Sequence, residues 1–80
     1  MANSQQSFAV LGLGKFGMAL TVALSKAEQD VLVIDSNEEA INDVAHLVTH
    51  AVIADATDEE ELRDLDIGSF DHVFVRKRRR

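Results

Sequence analysis

Three glycines, a lysine and a carboxylate are the residues of this sequence whose types and spacing could do chemistry. Gly12-Leu13-Gly14-Lys15-Phe16-Gly17 is a GxGxxG hexapeptide, and Asp35 follows 18 residues after its last glycine. That combination suits the recognition of a nucleotide through its phosphates and ribose. Gly12 permits a tight turn, Gly14 lets a pyrophosphate approach backbone that carries no Cβ, and Gly17 lets a helix pack closely on a strand. A carboxylate at Asp35 accepts both hydroxyls of an adenosine ribose and repels a 2′-phosphate, which disfavours NADP. Alone, Asp35 reads equally well as a helix cap before Ser36; the glycines tip it toward ribose binding. ATP, ADP, AMP and NAD(H) share the same ribose diol, so these residues do not choose among them.

Lys15 lies between the second and third glycines, where its ammonium adds a point charge near phosphates. The competing role is a surface lysine at a helix start, where the helix dipole mildly disfavours a cation. Asp55-Ala56-Thr57 follows another apolar run and is expected at the adenine end, with Asp55 accepting from an amino group or capping a helix. Phe16 reads as core more readily than as a cofactor contact. The candidate nucleotide-binding set is Gly12, Leu13, Gly14, Lys15, Phe16, Gly17, Asp35, Ser36, Asp55, Ala56 and Thr57. No catalytic residue is identified, and no metal ligand. His46 and His50 have i, i+4 spacing, but a strand is expected to open near residue 50, and no acidic third ligand stands beside them. No Ser/His/Asp grouping carries a nucleophile elbow.

The elements that must position these residues show in the hydropathy pattern. Phe8-Ala9-Val10-Leu11, Val31-Leu32-Val33-Ile34, Ala51-Val52-Ile53-Ala54 and Val73-Phe74-Val75 are continuous apolar runs, the pattern of parallel strands covered on both faces. Phe16, Leu20, Ala23, Leu24 and Ala27 mark one face of a helix after the first run. Ile41, Val44, Ala45 and Val48 mark a second helix, opened by a capping box of Ser36 and Glu39. Thr57 with Glu60 opens a third, whose acidic first turn suits the helix dipole and which continues through Leu62 and Leu65 to a left-handed cap at Gly68. The expected fold is α/β, a Rossmann-like parallel sheet with helices on both faces, in the order β-α-β-α-β-α-β. That order supplies the N-terminal half of a dinucleotide-binding sheet, and the glycines sit directly after its first strand.

Composition narrows the classes further. Eighty residues, 46% of them hydrophobic, make a single small domain. The chain has no Cys, which removes disulfide staples, thiolate chemistry and Cys-based zinc, and fits a reducing, cytoplasmic compartment. No apolar run approaches the about 20 residues that cross a bilayer. The formal charge is −6, but Arg76, Lys77, Arg78, Arg79 and Arg80 hold five of the eight basic residues, so residues 1–75 carry −11. Such a body repels nucleic acid. The basic run is either an interaction arm or a non-native extension. The expected organisation is a disordered tail over residues 1–6, the nucleotide-binding domain over 7–75 and a basic tail over 76–80.

Phe8-Ala-Val-Leu-Gly-Leu-Gly-Lys-Phe-Gly17, Val-Leu-Val-Ile-Asp35, Thr49-His-Ala-Val-Ile-Ala-Asp-Ala-Thr57 and Phe70-Asp-His-Val-Phe-Val75 together resemble the RCK domain, also called KTN or TrkA-N, of bacterial potassium-uptake regulators, most closely the Ktr type. The resemblance covers about residues 7–75. It implies a non-enzymatic regulator, peripheral to the inner face of the cell membrane, that forms dimers and an octameric ring beneath a membrane potassium-translocating subunit. It implies gating by ATP/ADP or NAD/NADH, not NADP, with Gly12, Gly14, Gly17 and Lys15 at the phosphates, Asp35 on the ribose and residues 55–57 near the adenine. Family members often carry Arg where Lys15 stands, and Lys cannot form a bidentate fork. The resemblance ends before the later strands and the C-terminal ligand domain of full-length regulators, so gating is not expected of this segment alone. The competing class is the cofactor-binding fragment of an NAD-dependent dehydrogenase, motivated by the same glycines and Asp35.

Overall fold

Each of the four apolar runs becomes a strand of one parallel sheet. The computed structural model describes residues 5–76. The elements are β1 (Ser7–Leu11), α1 (Gly14–Lys26), β2 (Asp30–Asp35), α2 (Glu38–Val44), β3 (His50–Ile53), α3 (Glu59–Asp64), a single 3₁₀ turn (Ile67–Ser69) and β4 (His72–Val75). The sheet order is β3-β2-β1-β4, with every pairing parallel. The chain builds outward from β1 to β3 and then returns to the other side of β1. That reversal makes the carboxyl edge between β1 and β4 a topological switch point, where open α/β sheets bind ligands. The fold is the expected Rossmann-like one.

Two apolar layers hold the sheet between helices. Val10, Val31 and Val33 point to one face, where Leu13, Ile41 and Val44 bury against them with Leu20 and Leu24 of α1 alongside. Ala9, Leu11, Leu32 and Ile34 point to the other, covered by Leu62 and Leu65 of the α3 segment and by Phe70. Alternate residues of β1 and β2 thus serve opposite layers, which is why both runs are apolar throughout. Fully burying each Val, Leu or Ile side chain of these layers contributes about 1.5–3 kcal/mol.

Several local expectations are corrected. The buried face of α1 carries Gly17 and Thr21, with Leu20 and Leu24 half-buried, whereas Phe16, Ala23 and Ala27 are exposed. Gly17 must lie against the first loop, and that rotates Phe16, one residue earlier, outward. α2 is capped by Asn37, whose side chain accepts from the Ala40 N–H at 3.1 Å, not by Ser36. α2 ends at Val44, so Ala45 is exposed and Val48 joins the core from the following turn. α3 is capped by Asp58, which accepts from the Glu60 and Glu61 N–H groups at 2.9 and 3.3 Å, not by Thr57. Asp66 (φ 58°), not Gly68, takes the left-handed conformation after α3.

At the amino edge of the sheet, Ser7 and Asp71 tie β1 to the approach of β4. The Ser7 N–H and hydroxyl both donate to Asp71 Oδ2, at 2.9 and 3.1 Å, and the Asp71 N–H donates to Ser7 Oγ at 2.9 Å. Those donors hold the Asp71 carboxyl below its ordinary value of 3.8. Beside them His72 stacks on Phe8 at 4.7 Å. Of the expected terminal tails, residues 1–4 and 77–80 lie outside the described residues; Gln6 N–H donates to Gln29 Oε1 at 2.6 Å.

Candidate functional site

The glycine turn is sewn to the end of β2. Gly12 (φ 91°) donates its N–H to Ile34 O at 2.8 Å, and Leu13 donates its N–H to Asp35 Oδ2 at 2.7 Å. The Leu13 side chain is fully buried, so this residue anchors the turn in the core. Asp35 Oδ1 accepts from the Asn37 N–H at 2.8 Å. One carboxylate therefore clamps both the glycine turn and the turn into α2. Each of its oxygens has a second lone pair, which leaves capacity for the hydroxyls of a bound ribose.

Gly14 (φ 59°) opens α1, and the helix's first bond runs from the Gly17 N–H to Leu13 O at 2.8 Å. α1 has no side-chain cap, so the earlier amides and the positive end of this 13-residue helix face the carboxyl edge of the sheet. A Cβ on Gly17 would stand 2.8 Å from Gly12 O. That contact is backbone against backbone, and it makes Gly17 the residue that lets helix and turn approach. Gly12 and Gly14 have a different reason to be glycine: both hold positive φ, and a Cβ on either would meet the Arg76 side chain, at 3.1 Å from Gly12 and 2.6 Å from Gly14.

Asp55 folds its own turn after β3. Its Oδ1 accepts from the Thr57 N–H at 2.8 Å and from the Thr57 hydroxyl at 2.6 Å, and the Asp58 N–H donates to Asp55 O at 3.0 Å. A groove at the carboxyl edge then brings together Gly12, Asp35, Ser36, Asp55, Ala56 and Thr57 with Leu11, Val75 and Arg76. Gly14 lines an adjoining hollow with Asp35, Asn37 and Arg76. Lys15 is exposed on the first turn of α1 and lines neither. Phe16 is 76% exposed, against the expectation of core, and borders a separate apolar hollow with Leu20 and Phe74.

Two residues of this edge were missed by sequence reasoning. Asn37 was passed over because Ser36 beside it is an equally good cap by type. Arg76 was read as part of a charged tail, yet its N–H donates to Leu11 O at 3.0 Å, continuing the β1–β4 ladder onto the rim of the groove. Parallel register supplies the signal that could have found it: the residue after β4 must lie beside the residue after β1.

The histidines are dispersed. His46 lies in the turn after α2, His50 opens β3 and His72 opens β4. Among the described residues no three His, Asp or Glu side chains are grouped as a metal site, and no helix is long and apolar enough to cross a membrane.

The TrkA-N domain model matches residues 8–76. The chain belongs to the TrkA-N domain family. It is 44% identical over 71 residues to Ktr system potassium uptake protein C of Bacillus subtilis (strain 168), covering 89% of this chain and 32% of that protein. It is 47% identical over 70 residues to Ktr system potassium uptake protein A of the same organism, covering 88% of this chain and 32% of that protein. The corresponding protein A of Vibrio alginolyticus is 35% identical over 75 residues, 94% of this chain and 34% of its own length. This TrkA-N domain thus spans about a third of the relatives it matches, and the match takes in the glycine turn, Asp35, residues 55–57 and Arg76.

Proposed function

We propose that this TrkA-N domain binds an adenine nucleotide, ATP/ADP or NAD/NADH rather than NADP, and that it is the nucleotide-sensing part of a potassium-uptake regulator rather than an enzyme. The observation that carries the reading is the convergence, at one sheet edge, of a turn with two positive-φ glycines, the uncapped start of α1 and the Asp35 carboxylate. Bare glycine backbone admits a phosphate, the helix start supplies N–H donors and positive potential, and Asp35 supplies an acceptor for a ribose diol. The residues present therefore fit such a ligand. Asp55, Ala56 and Thr57 line the same groove as Asp35, which supports assigning them to the base.

The regulator role rests on the relatives, which are potassium uptake proteins by name. On this reading the domain associates with further copies of itself and with a membrane potassium-translocating subunit on the cytoplasmic side. Nucleotide occupancy then reaches the transporter through the elements that Asp35 clamps. Thermal unfolding against ATP, ADP, NAD, NADH and NADP tests the binding step. A ligand bound only by the folded state at 100 times its dissociation constant stabilises it by about 2.7 kcal/mol. ATP/ADP or NAD/NADH should raise the midpoint and NADP should not. Gly14→Val, which places a branched side chain on the bare turn, should abolish the shift. Equal stabilisation of wild type and Gly14→Val would refute the placement.

A further inference from the structure

We propose that Arg76 is a phosphate-contacting residue that closes over an anion seated on the 12–14 turn, an inference that rests on the nucleotide reading above. Its backbone is fixed by the bond from its N–H to Leu11 O at 3.0 Å, so the side chain must start at the rim of the glycine turn. Arg76 Cβ lies 3.1 Å from the position a Cβ on Gly12 would take, and Arg76 Nε lies 2.6 Å from the corresponding position on Gly14. The Arg76 stem thus lies over Gly12 and its guanidinium over Gly14, on the side where a Cβ would stand. Among the described residues the guanidinium has no hydrogen-bond or ion-pair partner; the bond Arg76 makes there is from its backbone N–H.

Charge gives this placement a purpose. Residues 1–75 carry −11, and the groove itself includes the Asp35 carboxylate, so an anionic ligand meets a repulsive field from that part of the chain. A cation at the glycine turn offsets that field at the point where phosphate charge arrives. A guanidinium on a flexible stem can swing off the turn and grip the phosphate through a planar fork, which Lys15, exposed on the first turn of α1, cannot do.

The test titrates wild type, Arg76→Ala, Arg76→Lys and Arg80→Ala with ADP and with adenosine by isothermal calorimetry. Arg76→Ala should weaken ADP binding about tenfold or more, as loss of a hydrogen bond to a charged group does, and leave adenosine unchanged. Arg76→Lys should fall between. Arg80→Ala removes a charge from the same C-terminal run and should change ADP binding less than twofold. Unchanged or tighter ADP binding in Arg76→Ala would overturn the proposal, the second outcome showing that the guanidinium obstructs the turn. Equal losses in Arg80→Ala, or loss of adenosine together with ADP, would also overturn it, by showing diffuse charge or a structural role. If wild type binds neither ligand, the nucleotide reading falls and this proposal with it; if wild type binds ADP and Arg76→Ala matches it, this proposal alone falls.

Discussion

Removing the Asp35 carboxylate should destabilise the domain with no nucleotide present. A residue kept only for a ligand would cost nothing to lose in the free protein. Here, however, Asp35 accepts from the part-buried Leu13 N–H at 2.7 Å and from the exposed Asn37 N–H at 2.8 Å. In Asp35→Ala water replaces the acceptor at Asn37, so most of the cost comes from the Leu13 N–H left without a partner. A hydrogen bond to a charged group is worth about 1.5–3 kcal/mol, and the expected loss is about 2 kcal/mol. For a domain of this size that corresponds to a fall of roughly 8–16 °C in the midpoint. Asp35→Asn keeps one carbonyl oxygen for Leu13 and should lose about 1 kcal/mol. Urea and thermal unfolding followed by circular dichroism, without nucleotide, would measure both. Both variants lying within about 0.5 kcal/mol of wild type, the range of an ordinary surface substitution, or Asp35→Asn being the worse, would refute this structural role of Asp35. On the nucleotide-binding proposal, loss of binding in Asp35→Ala would report both a missing ribose acceptor and a loosened glycine turn.

Gly17→Ala should lower stability by about 1 kcal/mol, because the overpacking cost against Gly12 O, about 1–3 kcal/mol, outweighs the better helix propensity of alanine; thermal midpoints check this. Asp71→Asn should lower stability at neutral pH by an amount that shrinks in acid. A carboxyl held below its ordinary 3.8 contributes stability present above that value and lost as pH falls through the lowered one, so a gap that stays constant from pH 7 to strong acid would contradict the Ser7–Asp71 tie. Asp58→Ala should cost about 1 kcal/mol through loss of the α3 cap, while Thr57→Ala should leave that cap intact.

The order of elements and the parallel sheet were legible because continuous apolar runs have one common explanation, burial on both faces, and the glycine motif falls at the one place where it can act. Asp35 was legible by type and spacing, but its bonds were not, since only folding brings it beside the Leu13 N–H. Cap positions were misread by one residue at two helices. Ser36-Asn37 and Thr57-Asp58 each offer two adjacent cap formers, and in both cases an Asp shortly before the true cap, Asp35 two residues before Asn37 and Asp55 three before Asp58, folds its own turn and delays the helix. Phe16 was misassigned because hydrophobic spacing gave it a place on the inner face, whereas the close approach of Gly17 to Gly12 O sets the helix rotation. Arg76 was hidden by the charge run it begins.

Whether a nucleotide sits on the carboxyl edge of this sheet is decided by ¹H–¹⁵N correlation spectra recorded during an ADP titration. Saturable shifts should cluster at the amides of Gly12, Gly14, Lys15, Asp35, Ala56 and Arg76, with the Ser7 and Asp71 amides at the opposite edge unmoved. An unchanged spectrum, or shifts centred on the Ser7–Asp71 edge, would contradict that placement.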